Sequence, residues 1–334
     1  MFENKTILVT GGTGSIGSEI VRQLLKENPE TIRIFSRGEE KQFYMQQELS
    51  EYSNVRFLIG DVRDYRRVEY ACKDVDIIFH AAAMKHVPAS EYNPMEAVKT
   101  NVMGTQNVIE AAITNDVEKF VSVSTDKVVS PTNTMGATKL LSEKIVMAAN
   151  QYKGKTKTKF SCVRFGNVMG SSGSVIPLFC KQIKSNDDIT ITDLEMTRFM
   201  MSIPQAARLV LSAAKNSMYG ETYVLKMPAI KILDLAEALI AEYNRTHTKN
   251  YNGKLKVIGP RPGEKMYEEL MTVDEIERSF ENDKMYIIPP IYYPTDAYKN
   301  LERIKITSYS SNDTSLMTQK EFLDVVKEHK IISW

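Results

Sequence analysis

Cysteine and histidine are both scarce. Cys72, Cys162 and Cys180 are far apart and odd in number in a chain of 334 residues. That speaks against a disulfide framework and fits a reducing compartment. His80, His86, His247 and His329 stand at no metal-ligand spacing from the cysteines, so no metal centre is expected. An excess of one charge is missing too: 43 Lys and Arg face 42 Asp and Glu. No global pull toward nucleic acid or a charged membrane surface follows. The chain has no run of about 18 apolar residues, so it lacks the signal of a membrane span. The opening MFENKTILVT places charges before a short apolar run and has no small-residue cleavage site. It reads as a first strand, not a signal peptide. The expectation is a cytoplasmic globular protein that binds neither nucleic acid nor membrane and is long enough to bury a sizeable core.

What the chain does have is alternation. TILVT is a short apolar run stopped by GGTG, as a buried parallel strand would be. SIGSEIVRQLLKEN then sets Ile16, Ile20 and Leu24 on one helical stripe. TIRIFSR, VRFLIGD, VDIIFHAA, KFVSVST and KFSCVRFG read as five further strands. Helices are expected at YRRVEYACK, AVKTNVMGTQNVIEAAITN and NTMGATKLLSEKIVMAANQY. This pattern predicts an α/β fold, a doubly wound parallel sheet of the Rossmann kind. Beyond about residue 165 the regularity fades. NVMGSSGSVIP reads as a loop, 203–215 and 231–244 as helices, ETYVLKM as a strand that returns near 221–226, and GPRPGEKMYEEL as a loop running into a helix. The expected division is a dinucleotide-binding domain over 1–165 and a smaller mixed α/β substrate domain over 166–334. The helices at 97–114 and 134–151 are apolar beyond one stripe, which suits a homo-oligomer, a dimer or higher.

GGTGSIG sits between the first strand and the first helix. Gly11, Gly14 and Gly17 permit a tight turn and let backbone N–H groups approach a pyrophosphate, with Thr13, Ser15 and Ile16 between them. The helix N-terminus adds its positive dipole end. After the second strand come Ser36, Arg37 and Gly38, then Glu39, Glu40 and Lys41. A hydroxyl and a guanidinium suit the 2′-phosphate of NADP; Glu39 or Glu40 reaching a ribose would instead suit NAD. Asp61 and Val62 follow the third strand, where an Asp can contact an adenine edge. Ala81, Ala82 and Ala83 follow the fourth, small enough for close approach of the cofactor.

Ser124-Thr125-Asp126-Lys127 stands at the C-terminal end of the fifth strand, where ligands of open α/β sheets bind. In TMGATK, Met135 occupies a place where many nicotinamide-dependent enzymes carry an acid/base tyrosine. Met135 and Lys139 are four apart and share a helix face. Asp126 and Lys127 are titratable groups of opposite sign, an arrangement that can separate an acid from a base.

Together GGTGSIG, AAAMKHVPASEYNP, STDKVVSPTNTMGATK, RFGNVMGSSGSVIPLF and RPGEKMYEEL resemble the extended short-chain dehydrogenase/reductase superfamily over nearly the whole chain. Within it the sequence looks like the soluble UDP-N-acetylglucosamine 4,6-dehydratases of bacterial surface-sugar biosynthesis. The branch with Met at position 135 looks like the configuration-retaining kind. The resemblance implies oxidation of the sugar at carbon 4, loss of water across carbons 5 and 6, and hydride return to carbon 6, on a tightly bound cofactor recycled each turn. It implies Lys127 as base at carbon 5, provided part of it is neutral. It also implies Asp126 as acid toward the 6-hydroxyl, Thr125 at the 4-hydroxyl, Lys139 at the nicotinamide ribose, and Met135 as packing. On the substrate side, Lys85 and His86 are placed to reach sugar or phosphates, and Asn167 a phosphate or hydroxyl. Arg198 and Arg261 are candidates for the diphosphate, Glu264 for the uridine ribose and Val175 for packing. Two other readings stand beside it: a UDP-sugar 4-epimerase, and a non-catalytic NADP-binding regulator.

Overall fold

The computed structural model describes residues 1–292, 294, 296–332 and 334. Six parallel strands build its centre: β1 (Thr6–Thr10), β2 (Thr31–Ser36), β3 (Val55–Ile59), β4 (Ile77–His80), β5 (Lys119–Val123) and β6 (Lys159–Arg164). They lie in the spatial order β6-β5-β4-β1-β2-β3. The order reverses at β1, so a crevice opens above the C-terminal ends of β1 and β4, where doubly wound sheets bind ligands. β1 is buried at every position, as a run covered on both faces must be.

Helices α1 (Ser15–Leu24), α2 (Glu39–Glu48) and α3 (Tyr65–Cys72) connect the first four strands. Asp64 caps α3 by accepting from Arg67 N–H. After β4 come α4 (Val87–Tyr92), α5 (Pro94–Ala97), α6 (Gly104–Thr114) and α7 (Thr134–Tyr152). The single helix expected from Ala97 onward is interrupted. Val98–Met103 forms a wider π-helical turn between α5 and α6, a feature found often at functional sites. It carries Asn101, whose amide accepts from Met84 N–H at 2.8 Å and donates to Met84 C=O at 3.1 Å.

The later elements are β7 (Asn167–Val168), α8 (Val175–Lys184), β8 (Ile189–Ile191), β9 (Thr197–Met201), α9 (Ile203–Asn216), β10 (Thr222–Leu225), β11 (Ala229–Lys231), α10 (Ile232–Thr246), β12 (Leu255–Val257), α11 (Val273–Arg278), β13 (Phe280–Glu281), β14 (Met285–Ile288), β15 (Glu302–Arg303) and α12 (Gln319–Glu328). The returning strand is β10, parallel to β6. Beyond it, β14, β13 and β15 add antiparallel to the same sheet, so the second half of the chain contributes more to the main sheet than its sequence suggested. Two apolar clusters cover the faces of that sheet, one including Ile7, Val9 and Ile20, the other Leu8, Val68 and Ile109. A third, with Phe179, Leu235 and Phe322, forms the core under α8, α10 and α12.

The loop does run into a helix, but α11 begins only at Val273, and EKMYEEL itself stays irregular. Its backbone groups bond to distant partners instead: Thr197 N–H donates to Met266 C=O, Leu270 N–H to Tyr309 C=O and Ser311 N–H to Glu268 C=O. Tertiary pairing overrides local helix propensity here.

Candidate active site

A cleft of about 400 Å³ opens where the strand order reverses, within the range of a cofactor site. Gly11, Thr13, Gly14, Ser36, Arg37, Lys41, Asp61, Val62, Ala81, Ala82 and Ala83 line it, together with Phe35 and Thr100. Gly11 has φ +66, and a Cβ there would meet Ala82 N at 2.7 Å. Only glycine lets these two strand ends close on each other. Ser15, Ile16 and Gly17 open α1 behind the loop. Its cap, Gly14, makes no side-chain bond to the first-turn N–H groups, which leaves them to an anion.

The second-strand end is wired before any ligand arrives. Ser36 Oγ accepts from Thr13 Oγ1 at 3.0 Å and from Gln42 Nε2 at 3.0 Å. Asp61 is gripped by Arg63, through Nε at 2.9 Å and Nη2 at 2.6 Å. Burial opposes the Asp61 charge, but Arg63 outweighs it and holds the carboxyl below its usual range. Arg37 stands 3.6 Å from the same carboxylate with its side chain 57% exposed. It is therefore free to move to an anion. Gln42 and Arg63 carry no motif and escaped the sequence reading.

The chemical centre forms at the end of β5. Thr125 Oγ1 donates to Asp126 Oδ1 at 2.8 Å, and Lys127 Nζ donates to the same oxygen at 2.9 Å. Asp126 is fully buried, and its Oδ2 has no partner. A second carboxylate, Glu268, reaches the centre from the loop before α11. Its Oε1 lies 3.5 Å from Lys127 Nζ and 3.9 Å from Arg198 Nε. Burial disfavours the Lys127 charge, but Asp126 and Glu268 prevail and hold its pKa above the ordinary lysine value. The two carboxylates thus favour the ammonium form of Lys127, against the partly neutral amine that a base at carbon 5 requires. Glu268 is pushed up, first by burial and then by the Asp126 charge. It was overlooked inside RPGEKMYEEL because nothing local marks it as buried.

Met135 and Lys139 are both buried on one face of α7. Lys139 Nζ donates to Val123 C=O at 2.7 Å, the last carbonyl of β5, and burial lowers its pKa. Asn133 caps α7 by accepting from Gly136 N–H at 2.9 Å. Its amide and the Thr132 hydroxyl both donate to Gly263 C=O, which ties the RPGEK loop to the start of α7.

The expected substrate residues are distributed unevenly. Lys85 and His86 are exposed before α4. A Cβ on Gly173 would meet His86 Cε1 at 2.5 Å, so the Gly/Ser loop lies against one edge of the exposed imidazole. Asn167 has a buried, unpartnered Oδ1. Val175 opens α8 and packs on the third cluster. Glu264 accepts from Arg261 N–H at 3.2 Å within a turn. Arg198 is buried and donates to the carbonyls of Thr197, Met266 and Lys265. It is not offered as an open diphosphate clamp; its planar fork braces the segment that carries Glu268.

Two buried networks stiffen this frame. Ser124 donates to Glu143 at 2.8 Å, and Arg164 joins Glu143 to Glu275. His80 bridges Thr10 at 2.8 Å and Thr105 at 3.0 Å, and Thr105 meets Ser142 at 2.9 Å. Burial, then the Lys139 charge, push the His80 pKa down to about 3, so it is a neutral strut at physiological pH.

A family model described as polysaccharide biosynthesis protein matches residues 7–290. The chain is 42% identical to a Campylobacter jejuni protein named UDP-N-acetylglucosamine 4,6-dehydratase (inverting), with 98% of each covered. It is 46% identical to a Rickettsia bellii protein named UDP-glucose 4-epimerase, with 86% of this chain and 84% of that protein covered. Among solved structures, that of Pen from Bacillus thuringiensis matches with a TM-score of 0.94 at 46% identity, covering 100% of both chains.

Proposed function

The chain belongs to the polysaccharide biosynthesis protein family, and we propose that it is a UDP-N-acetylglucosamine 4,6-dehydratase holding a nicotinamide dinucleotide. The observation that carries this reading is the Thr125–Asp126–Lys127 cluster, hydrogen-bonded around a buried Asp126 at the strand end beside a glycine cradle, with Met135 in place of a titratable group. The cradle fits the cofactor: glycines where a Cβ would collide, uncapped N–H groups of α1, and a polar rim of Ser36, Arg37 and Asp61. Bound there, the nicotinamide would supply hydride acceptance at carbon 4 and hydride return at carbon 6. Arg37 favours NADP, since its exposed guanidinium suits a 2′-phosphate.

The chain's own residues would move two protons. Thr125 passes the 4-hydroxyl proton to Asp126, which returns it to the departing 6-hydroxyl as water forms. Lys127, as the free amine, takes the carbon 5 proton and gives it back after hydride return. Asp126 already accepts from Thr125, which supports that relay. Lys139 orients the cofactor ribose and Met135 packs beside it. Asn167, Lys85, His86 and Arg261 are assigned to the UDP-sugar, with Glu264 and Val175 at the nucleotide. We assign cofactor binding mainly to 1–165 and substrate binding mainly to 166–334. We further infer a cytoplasmic enzyme and a homo-oligomer; exposed Met103, Leu141 and Tyr152 on and beside α6 and α7 support the oligomer. Among the described residues, no helix is long and apolar enough to cross a membrane.

Mass spectrometry of the product from UDP-N-acetylglucosamine tests the reading. A product lighter by one water supports it. The Rickettsia relative's name favours a second reading, 4-epimerisation, which would leave the mass unchanged. Met135 supports retention at carbon 5, whereas the Campylobacter relative is named inverting; product coupling constants decide between them.

A further inference from the structure

The proposed roles of Asp126 and Lys127 make opposing demands. Asp126 must start as a carboxylate to receive the 4-hydroxyl proton. Lys127 must start as an amine to receive the carbon 5 proton. Yet the two are hydrogen-bonded at 2.9 Å, and an adjacent carboxylate favours ammonium. The surplus proton therefore needs a third holder.

We propose that Glu268 is that holder: a proton passes from Lys127 Nζ to the Glu268 carboxylate, leaving an amine beside a carboxylic acid. The N–H bond breaks, its electron pair stays on nitrogen, and an O–H bond forms on Glu268. The transfer reverses once the amine has returned the carbon 5 proton, so the resting ion pair is restored without proton exchange with solvent. This rests on the reading of Lys127 as base.

Position favours Glu268 over Asp126 for this task. Asp126 Oδ1 accepts from both Thr125 and Lys127, and such bonds stabilise a charged carboxylate. Glu268 is 4% exposed, its Oε2 has no partner, and its Oε1 meets cations only at 3.5 and 3.9 Å. Burial with so few donors favours the neutral acid. The location is also built. Glu268 N–H donates to Ser311 Oγ at 3.0 Å and its C=O accepts from Ser311 N–H at 2.8 Å. The charged groups acting on it are Asp126, Lys127, Arg198 and Lys265. Glu268 is thus a positioning residue that acts through Lys127.

The test is the pH profile of turnover in full-length Glu268→Gln and Glu268→Asp, with UDP-N-acetylglucosamine and bound cofactor. Wild type should show a plateau, because one proton is shared within the pair. In Glu268→Gln that proton must leave to solvent. Its kcat at neutral pH should fall by about a hundredfold and rise about tenfold per pH unit toward the lysine's own pKa, with little change in KM. Glu268→Asp should restore a plateau. A Glu268→Gln profile parallel to wild type, whether at full or uniformly reduced rate, would overturn the proposal. Lys127→Ala tests the underlying reading separately: if it still exchanges the carbon 5 proton with deuterated solvent, the base assignment itself fails, whatever Glu268→Gln does.

Discussion

Lys127 Nζ lies 2.9 Å from Asp126 Oδ1 and is held between it and Glu268, whose Oε1 is 3.5 Å away. This contact joins the loop after β5 to the loop before α11. In the proposed mechanism it supplies acid/base groups that need no tyrosine at position 135. On that proposal, Met135 does not mark a lost activity.

Replacing Asp126 by Asn or Lys127 by Ala should each lower kcat by about a hundredfold or more, the usual worth of a positioned acid or base. KM should change far less. Steady-state kinetics with UDP-N-acetylglucosamine check this, and near-normal kcat in both variants would remove the assignment.

Cofactor choice should follow Arg37. Its guanidinium is exposed and only 3.6 Å from Asp61, which Arg63 already holds. Arg37→Ala should weaken NADP binding by about tenfold or more, as expected for losing a charge-assisted bond, and leave NAD binding nearly unchanged. Titration of cofactor-stripped protein reads both. Equal weakening of NADP and NAD would assign Arg37 to a contact common to them.

Acid sensitivity should trace partly to His80. Burial, with the Lys139 charge, pushes its folded pKa down to about 3 from the ordinary 6.5. Below the upper value the unfolded chain binds a proton that the folded chain refuses, so stability falls as pH drops from about 6.5 toward 3, by up to about 1.4 kcal/mol per pH unit. Above that window the group contributes no pH dependence. Urea unfolding of wild type and His80→Gln at neutral and mildly acid pH measures it. The variant should be less stable at neutral pH, with a shallower acid decline; identical slopes would exclude His80 as a source.

Arg164 should be among the costliest single losses. It is buried between Glu143 and Glu275, and Arg164→Met leaves two carboxylates without their cation. A destabilisation of about 3–5 kcal/mol is expected, read from urea denaturation. A loss below about 1 kcal/mol would mean that the network relaxes onto water.

Much of this site was legible because its signals are local. GGTGSIG between a strand and a helix, the small residues after β4, and Thr125-Asp126-Lys127 after β5 each follow from order along the chain, and the cleft brings the first two together. Glu268 was not legible, because the groups it meets, Ser311 and Arg198, are remote in sequence, as is Tyr309, which holds the neighbouring Leu270. The same contacts turned EKMYEEL, a run of good helix formers, into irregular chain. The π-turn at Val98–Met103 was hidden for a related reason: its residues fit an ordinary helix, and Asn101's bonds to Met84 are visible only in three dimensions. Strands β13 and β15 have two residues each, too short for any alternation to show.

The most direct measurement is NMR of the sugar protons during incubation of the protein and cofactor with UDP-N-acetylglucosamine in deuterium oxide. The account predicts a new 6-methyl signal with deuterium entering at carbon 5, because the Lys127 nitrogen already carries deuterium from solvent at its other positions and any of its three hydrogens can be delivered to carbon 5, while hydride returns to carbon 6. Appearance of the galacto epimer with an intact 6-hydroxymethyl group, or an unchanged spectrum, would contradict it.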